Sequence, residues 1–283
     1  MSVLRLLSAF LLAVAGTVAA AHSPVAAAVP GLELAWSAPA TPSSATTRIA
    51  AAGCPTGKRV VGAFAFTSVS TRDVVITGLI PTTNSVIALA SEDQDGTDDN
   101  WLLTVQAMCA GPLPGQTIVT TSSAYTSANK QVTATCPAGT RMLTGGWNLN
   151  GSVGEVFLNQ VAPAADQSGM SVTGMEDQDG MADTWRLTTY AVCADPLPGL
   201  FTRVATSATD STDKSVVIVC DPGQQRLSAG WSLIGSGAGS PAGQVLAQPG
   251  SSGTGWYELI AVEDDDGYSG SWSATARVIC VTI

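Results

Sequence analysis

The chain has 283 residues, of which 45% are apolar and only 12% are charged, and its formal net charge is −10. The apolar content is sufficient for a packed core, whereas the acidic balance argues against a nucleic-acid ligand and against an anionic membrane surface. These numbers favour a globular, weakly charged, acidic protein.

The N-terminus has the pattern of a secretory signal peptide, which we predict over residues 1–28. Arg5 precedes an apolar run at 6–18, and Ala19 and Ala21 fit a cleavage site after about residue 21, with a second candidate after about residue 28. The run is too short for a spanning helix, and no other stretch approaches the roughly 20 apolar residues that a span requires. We therefore expect a secreted or cell-wall-associated protein without membrane insertion after cleavage.

A pattern of about 84 residues occurs three times in the remainder of the chain. Each copy contains a cysteine that opens a turn with Pro and Gly, a loop rich in Asp and Glu, a tryptophan that closes this loop, and a second cysteine eight residues further on. We predict three repeats, over 29–114, 115–198 and 199–283.

Six cysteines in an exported chain predict three disulfides. Because each copy holds two cysteines, pairing within the copies is expected, and pairing between copies is the alternative. The expected pairs are Cys54–Cys109, Cys136–Cys193 and Cys220–Cys280. Each bond would close a loop of roughly 56 residues and stabilise its repeat by about 4 kcal/mol in the chain-entropy model.

The residue pattern predicts a chain that is almost entirely β. Large and small side chains alternate along 101–109, after the first acidic loop, and along the matching parts of the other copies. Runs rich in Val, Ile and Thr lie at 60–66, 73–77, 85–89, 131–135 and 215–219. With four to six strands per copy, the predicted fold is all-β, with three tandem disulfide-stapled repeats that resemble a β-sandwich or barrel and pack closely. Separate units and a closed pseudo-threefold arrangement both remain open.

The acidic loops are the most prominent candidate site. They contain 13 of the 22 acidic residues, so the negative charge is local and the rest of the mature chain is almost neutral. Ca²⁺ takes six to eight oxygen ligands, often from clustered carboxylates, and calcium is the one cofactor that the sequence suggests. The alternative is a hairpin turn at each Asp-Gly with a solvated acidic rim. The candidate metal ligands are Glu92, Asp93, Asp95, Asp98, Asp99, Glu176, Asp177, Asp179, Asp183, Glu263, Asp264, Asp265 and Asp266.

The seven tryptophans divide into a group predicted to be buried and a group predicted to be exposed. The first group comprises Trp101, Trp185 and Trp272, which share a strand face with a cysteine, and Trp147 and Trp231, which follow glycine. Phe64 is the expected counterpart of the last two in the first copy. Trp36 and Trp256 have no counterparts, and we predict them as ligand contacts.

The composition favours a non-enzymatic protein. The only histidine, His22, lies at the predicted cleavage site, which argues against a histidine-based triad and a His/Cys zinc site. Carboxylates recur in three equivalent loops, whereas a glycosidase needs one differentiated pair. We therefore assign no catalytic and no cofactor-binding residue from the sequence.

The motifs C-P-x-G-x-R, G-G-W, E-D-x-D-G and W-x-L-x-x-x-A-x-C-A, joined by P-L-P-G, resemble secreted tandem-repeat proteins of actinomycetes. The resemblance covers nearly the whole mature chain, with departures at Phe64, Asp221 and Gly270. It implies export and a β-repeat, and it implies no particular activity.

Two functions are compatible with these features. The first is a structural, adhesive or protein-binding factor that acts at the cell surface or outside the cell. The alternative is a lectin-like protein that binds a glycan or cell-wall polymer through repeated sites, with or without calcium. The expected partner is accordingly a surface glycan or an extracellular protein.

Overall fold

The computed structural model of the chain describes residues 29–68, 73–93, 96–151, 154–177, 180–235, 244–263 and 267–283. The predicted signal peptide lies outside these ranges. All helical or strand structure within them is β-strand, which confirms the all-β prediction. The described ranges contain no helix with the length and apolar character that a membrane span requires.

Each predicted repeat contributes six strands to the described structure, and we refer to the three parts of the chain as segments. The first segment contains β1 (Glu33–Trp36), β2 (Thr47–Gly53), β3 (Arg59–Thr67), β4 (Val74–Pro81), β5 (Ser85–Glu92) and β6 (Leu103–Ala110). The second contains β7 (Thr117–Ser122), β8 (Lys130–Thr135), β9 (Arg141–Asn150), β10 (Val156–Pro163), β11 (Gly169–Glu176) and β12 (Arg186–Ala194). The third contains β13 (Phe201–Thr206), β14 (Lys214–Val219), β15 (Gln224–Gly235), β16 (Val245–Ser252), β17 (Trp256–Glu263) and β18 (Trp272–Thr282).

The strands form four antiparallel sheets rather than three separate units. Their orders are β1-β6-β3, β2-β5-β4-β9-β12-β7, β8-β11-β10-β15-β18-β13 and β14-β17-β16. Each six-stranded sheet joins the second, fifth and fourth strands of one segment to the third, sixth and first strands of the next. Of the two arrangements left open, separate sandwich or barrel units are excluded, because consecutive segments share their sheets, and the four sheets also differ from the expected three repeats.

The two strand pairs that join consecutive segments, β4–β9 and β10–β15, are called seams here. At the first seam Leu79 pairs with Trp147, and at the second Val161 pairs with Trp231. The neighbouring Gly146 packs so closely that a Cβ there would lie 2.0 Å from the Leu79 carbonyl oxygen. Gly230 stands in the same relation to Val161. Glycine is therefore what allows the two backbones to pair.

A third contact, between β16 and β3, brings the last sheet beside the first and closes the sheets into a ring. No hydrogen-bonded register joins these two strands in the described part of the chain. Phe64 occupies the position in β3 that Gly146 and Gly230 occupy in β9 and β15. Pro249 of β16 occupies the position that Leu79 occupies in β4, as the pairing within the two hairpins shows. Proline has no N–H to donate to a neighbouring strand. The bulkier side chain and the missing donor explain why this contact lacks a ladder.

The strand register also shows which residue of the first segment corresponds to Trp147 and Trp231, for which Phe64 was expected. Trp147 and Trp231 pair with residues four positions before a disulfide cysteine. In the first segment this position pairs with Ala65, and Phe64 lies on the opposite face of β3. The prediction for Phe64 is therefore wrong: the first segment carries its large side chain one position earlier, on the opposite face of the strand, where it is also buried.

The disulfides join Cys54 to Cys109, Cys136 to Cys193 and Cys220 to Cys280, as predicted. They lie in a core that also contains the five tryptophans expected to be buried. Two smaller apolar clusters each take one equivalent residue from every segment. One includes Val61, Leu143 and Leu227, and the other includes Val75, Phe157 and Leu246. No single segment can bury these side chains alone.

Candidate functional site

The first acidic residue of each loop accepts a hydrogen bond from the tryptophan that closes the loop. Trp101 Nε1 donates to Glu92 Oε1 at 3.0 Å. The corresponding distances are 2.8 Å from Trp185 to Glu176 and 2.8 Å from Trp272 to Glu263. Because an indole N–H is a donor only, each carboxylate provides the acceptor that a buried tryptophan needs.

A basic side chain lies over the face of each of these indole rings. Lys130 Nζ lies 3.5 Å from the ring centroid of Trp185, and Lys214 Nζ lies 4.2 Å from that of Trp272. Arg48 Cζ lies 5.2 Å from that of Trp101. The electron-rich ring face attracts the cation and the electron-poor edge faces the carboxylate. Each segment thus contains one cation–indole–carboxylate unit.

The lysines of these units also fasten the preceding loop. Lys130 Nζ donates to the carbonyl oxygens of Thr126 and Ala128 at 2.8 and 2.7 Å. Burial lowers the pKa of Lys130, and the charge of Glu176 opposes this effect. These contacts give the cation–indole–carboxylate unit a structural role, because they hold the loop before the lysine in place.

The next acidic residue of the loop forms a local turn. Gly96 N donates to Asp93 Oδ1 at 3.2 Å, and Gly180 N donates to Asp177 Oδ1 at 2.9 Å. Both glycines have a positive φ, 66° and 73°, which glycine adopts readily. The hairpin-turn alternative therefore explains the geometry of the described residues in the first two acidic loops.

Several predicted calcium ligands lie outside the described residues, namely Asp95, Asp179, Asp264, Asp265 and Asp266. Asp98, Asp99 and Asp183 are exposed. No group of three or more potential metal ligands occurs within the described ranges. Calcium binding by the loops stays a prediction, and Glu92, Glu176 and Glu263 each use one carboxylate oxygen for a tryptophan.

Trp36 and Trp256 have the exposure that their candidate role requires. Trp36 is 52% exposed and Trp256 is 38% exposed. The Trp36 ring meets Phe66 edge to face with a centroid distance of 6.4 Å. Whether either residue contacts a ligand stays a prediction.

A second candidate site lies on the outer face of the sheet β8-β11-β10-β15-β18-β13. Strand pairing places Thr133, Ser171 and Ala162 in one row across this sheet, followed by Gly230 and Arg277. A groove of about 340 Å³ lies along this row. We call it the polar groove after the polar side chains that line it: Thr133, Thr135, Gln160, Ser168, Ser171 and Arg277. The rest of its lining is apolar and includes Ala162, Pro163 and Met170.

The matching row of the other six-stranded sheet has no Thr, Ser or Arg, and Tyr190 carries its one polar side chain. It contains Ala51, Ile87, Ile80, Gly146 and Tyr190 in place of the five residues named above. Since the backbone positions correspond, the difference lies in the side chains alone. Hydroxyl, amide and guanidinium groups thus converge at only one of these two equivalent places.

The polar groove and the nearest acidic loop are at opposite ends of β11. The groove includes Ser171 near the start of the strand, and the loop begins at Glu176. Five residues of strand correspond to about 17 Å, or roughly two Debye lengths at physiological ionic strength. The only acidic residue of the adjoining hairpin, Asp166, accepts a hydrogen bond from Ser168 N at 3.0 Å. The charge nearest the ligand-accessible space is therefore that of Arg277.

Sequence reasoning missed the polar groove because its residues look unremarkable in the chain. Thr133, Ser171 and Arg277 come from three strands that are far apart in sequence. The available signal was the departure from the other copies: Arg277 stands where the second copy has Tyr190. No family model matches the chain, and the comparison with curated proteins found no significant similarity.

Proposed function

We propose that the protein is an exported, non-enzymatic adhesive or binding factor that recognises a hydroxyl-rich polymer, a glycan of a cell surface or cell wall, in the polar groove. The observation that carries this proposal is the concentration of uncharged donors and acceptors around one guanidinium. Three disulfides support an oxidising compartment, where such polymers occur.

The shape and chemistry of the groove suit a chain of sugars. Thr133 and Thr135 are exposed, so the groove is open along the sheet face. Gln160, Ser168 and Ser171 are half-buried and present both donors and acceptors. A volume of about 340 Å³ falls within the range of small-molecule sites and would hold part of a longer polymer.

The proposal concerns one of the two six-stranded sheets, which lies in a ring of four sheets. The groove lies on the sheet that contains the second seam, and the matching row of the other six-stranded sheet lacks its Thr, Ser and Arg side chains, so we expect the glycan to bind at this one groove.

A glycan array followed by titration tests the function. We expect the mature protein to retain a subset of glycans, and Q160A/S171A to weaken the affinity at least fivefold. The control is T120A, which removes an exposed hydroxyl from the edge strand β7 and should leave the affinity within twofold. Unchanged binding by Q160A/S171A, or retention of no glycan at all, would contradict the proposal.

A second candidate function is the binding of an extended protein segment. The edge strand β14 exposes Val217 by 54% and Val219 by 57%, and Val219 pairs with the exposed Trp256. An edge strand with apolar side chains can add a strand from another protein. A crosslink to an extracellular protein would support this function over glycan binding, provided that the V217K variant no longer forms the crosslink.

A further inference from the structure

The polar groove contains a single charged side chain, and we infer that its ligand carries a carboxylate, as a uronic acid does, which Arg277 binds. This inference rests on the proposed function, because it specifies which class of glycan the groove selects. It assigns the recognition of charge to one residue of β18.

Arg277 has no carboxylate partner within the described residues, whereas Lys58, Arg203 and Lys214 each have one. Its Nη1 atom donates to Ser232 Oγ at 2.9 Å, and no ion pair joins it to a carboxylate within the described residues. On the neighbouring strand, Arg203 pairs with Asp221. The side chain of Arg277 is half-buried, and this burial lowers the pKa of its guanidinium. An anionic ligand would compensate for the lost hydration.

Space for such a ligand lies beside the guanidinium. Arg277 pairs with Gly230, which has no side chain, and the next position in the row is Ala162. Arg277, Ala162 and Ser171 all line the groove, so its open space reaches the guanidinium. A ligand placed there meets the guanidinium on one side and hydroxyl groups on the other.

The charge balance favours a carboxylate over a phosphate. A guanidinium binds a planar carboxylate through two parallel N–H···O bonds, and one cation neutralises one monoanion. A phosphate monoester carries about −1.5 to −2 at neutral pH, so a single arginine would leave part of its charge uncompensated. Beside Arg277, the groove is lined by neutral hydroxyl and amide groups and by apolar residues, among them Ala162, Pro163 and Met170. The hydroxyls and the amide match the hydroxyl groups of a sugar ring.

The acidic loops do not prevent an anion from binding. The nearest loop begins about 17 Å along β11, where salt screens most of the repulsion. Asp166 is the acidic residue of the adjoining hairpin, and its hydrogen bonds to the groove residue Ser168 lower its pKa and keep it charged. We therefore expect the affinity to decrease only moderately as salt is added.

Calorimetric titration with oligogalacturonate and with its methyl ester tests the inference, because esterification removes the negative charge of each carboxylate and adds only a methyl group. We expect the mature protein to bind the acid at least tenfold more tightly than the ester. R277Q should lose this preference while it retains the weaker binding of the ester, and R277K should restore part of it. R203Q is the control, since Arg203 is a partly exposed arginine on the adjoining strand, and it should bind as the unchanged protein does.

The outcomes separate this inference from the proposed function. Equal affinities for acid and ester would overturn the carboxylate assignment and leave glycan binding in place. A preference for the acid that persists in R277Q would show that another residue carries it. Binding of dextran sulfate in place of oligogalacturonate would replace the carboxylate by a sulfate. Failure to bind any neutral or acidic glycan would contradict both proposals. The folding control for R277Q is its melting temperature, which should equal that of the unchanged protein.

Discussion

Arg226 is a buried cation at a position that is apolar in the other two segments. It pairs with Cys280, whereas Val60 and Met142 pair with the equivalent cysteines. Its Nε and Nη2 atoms donate to main-chain carbonyls, each at 3.1 Å, and its Cζ lies 3.0 Å from the ring centroid of Phe64. Burial lowers the pKa of this arginine. Arg226 thus fastens the β16–β17 hairpin to the contact between β16 and β3.

Tyr257 lies in the same part of the core and also replaces apolar residues. Tyr257 pairs with Ile218. The equivalent positions of the first two segments hold Val86, which pairs with Ala52, and Met170, which pairs with Ala134. The side chain of Tyr257 is fully buried, and its hydroxyl has no hydrogen-bond partner within the described residues. Burial raises the pKa of this phenol, so it stays neutral in the physiological range.

Removal of the Tyr257 hydroxyl should stabilise the protein. A buried polar group without a partner costs about 1–3 kcal/mol, so we expect Tyr257→Phe to raise the free energy of unfolding by about 1 kcal/mol. Urea denaturation measures this change. The control is Tyr190→Phe on the half-buried outer face, which should stay within about 0.5 kcal/mol. A loss of stability in Tyr257→Phe would show that the hydroxyl is bonded in solution.

The carboxylate of Glu92 should matter for stability through its acceptor oxygen more than through its charge. Glu92→Ala leaves the buried Trp101 N–H without a partner and is expected to cost about 1–3 kcal/mol. Glu92→Gln keeps an amide oxygen within reach of the indole and should cost less. Chemical denaturation of both variants compares them, and equal losses would argue that charge, rather than the hydrogen bond to Trp101, is what stabilises the loop.

At the scale of strands, the seams depend on the close approach of two backbones. Gly146 and Gly230 allow this approach, whereas Phe64 and Pro249 stand at the contact where no ladder forms. The contrast explains why one chain with a repeated sequence contains two continuous six-stranded sheets and two three-stranded ones. Local substitutions on equivalent strands decide which strands pair.

A side chain at the first seam should disturb the pairing of β4 with β9. Gly146→Ala places a methyl group 2.0 Å from a carbonyl oxygen, and we expect a loss of about 1–3 kcal/mol or more. Gly53→Ala is the matched control, because a Cβ at this strand position meets no atom within 4 Å. Thermal denaturation should show a lower melting temperature for Gly146→Ala alone, and similar values for both variants would contradict the close packing.

At the scale of the molecule, the shared sheets make the three segments interdependent. Val61, Leu143 and Leu227 come from different segments and are each fully buried in one cluster. Three independent domains would unfold separately, whereas this arrangement predicts that they unfold together. The disulfides lie within segments, so they stabilise each segment while the sheets connect them.

Loss of one disulfide should therefore weaken the whole protein. We expect C136A/C193A to lower the free energy of unfolding by about 2–5 kcal/mol, and calorimetry should show a single transition that moves as a unit. The ratio of calorimetric to van't Hoff enthalpy provides the check on cooperativity. Two separate transitions, one of them unchanged from the parent protein, would show that the segments fold independently.

Much of the element content was accessible from the sequence. Alternating side chains and Thr-rich runs predicted strands that the structure contains, among them β5, β8 and β14. The fully buried side chain of Trp101 followed from its place on the same strand face as Cys109. These predictions succeeded because a two-residue alternation and a shared strand face are local properties.

The use of the acidic loops could be predicted only in part. The Asp-Gly turns were anticipated as an alternative, since the turn is a local property of the dipeptide. That Glu92 accepts a hydrogen bond from Trp101 was missed, although both residues belong to the repeated pattern. The bond depends on how the loop folds back across the strand, which spacing along the chain does not specify.

The sequence by itself determined the all-β class, the six-cysteine framework and the burial of five tryptophans, because these depend on side-chain periodicity and on a pattern repeated three times. Only the tertiary structure decided that consecutive segments share sheets, since strand periodicity does not specify a strand's neighbour. It also decided the polar groove, whose members Thr133, Ser171 and Arg277 become neighbours through pairing across the second seam. Contacts between distant parts of the chain, rather than local preferences, place the charge of Arg277 beside a row of hydroxyls.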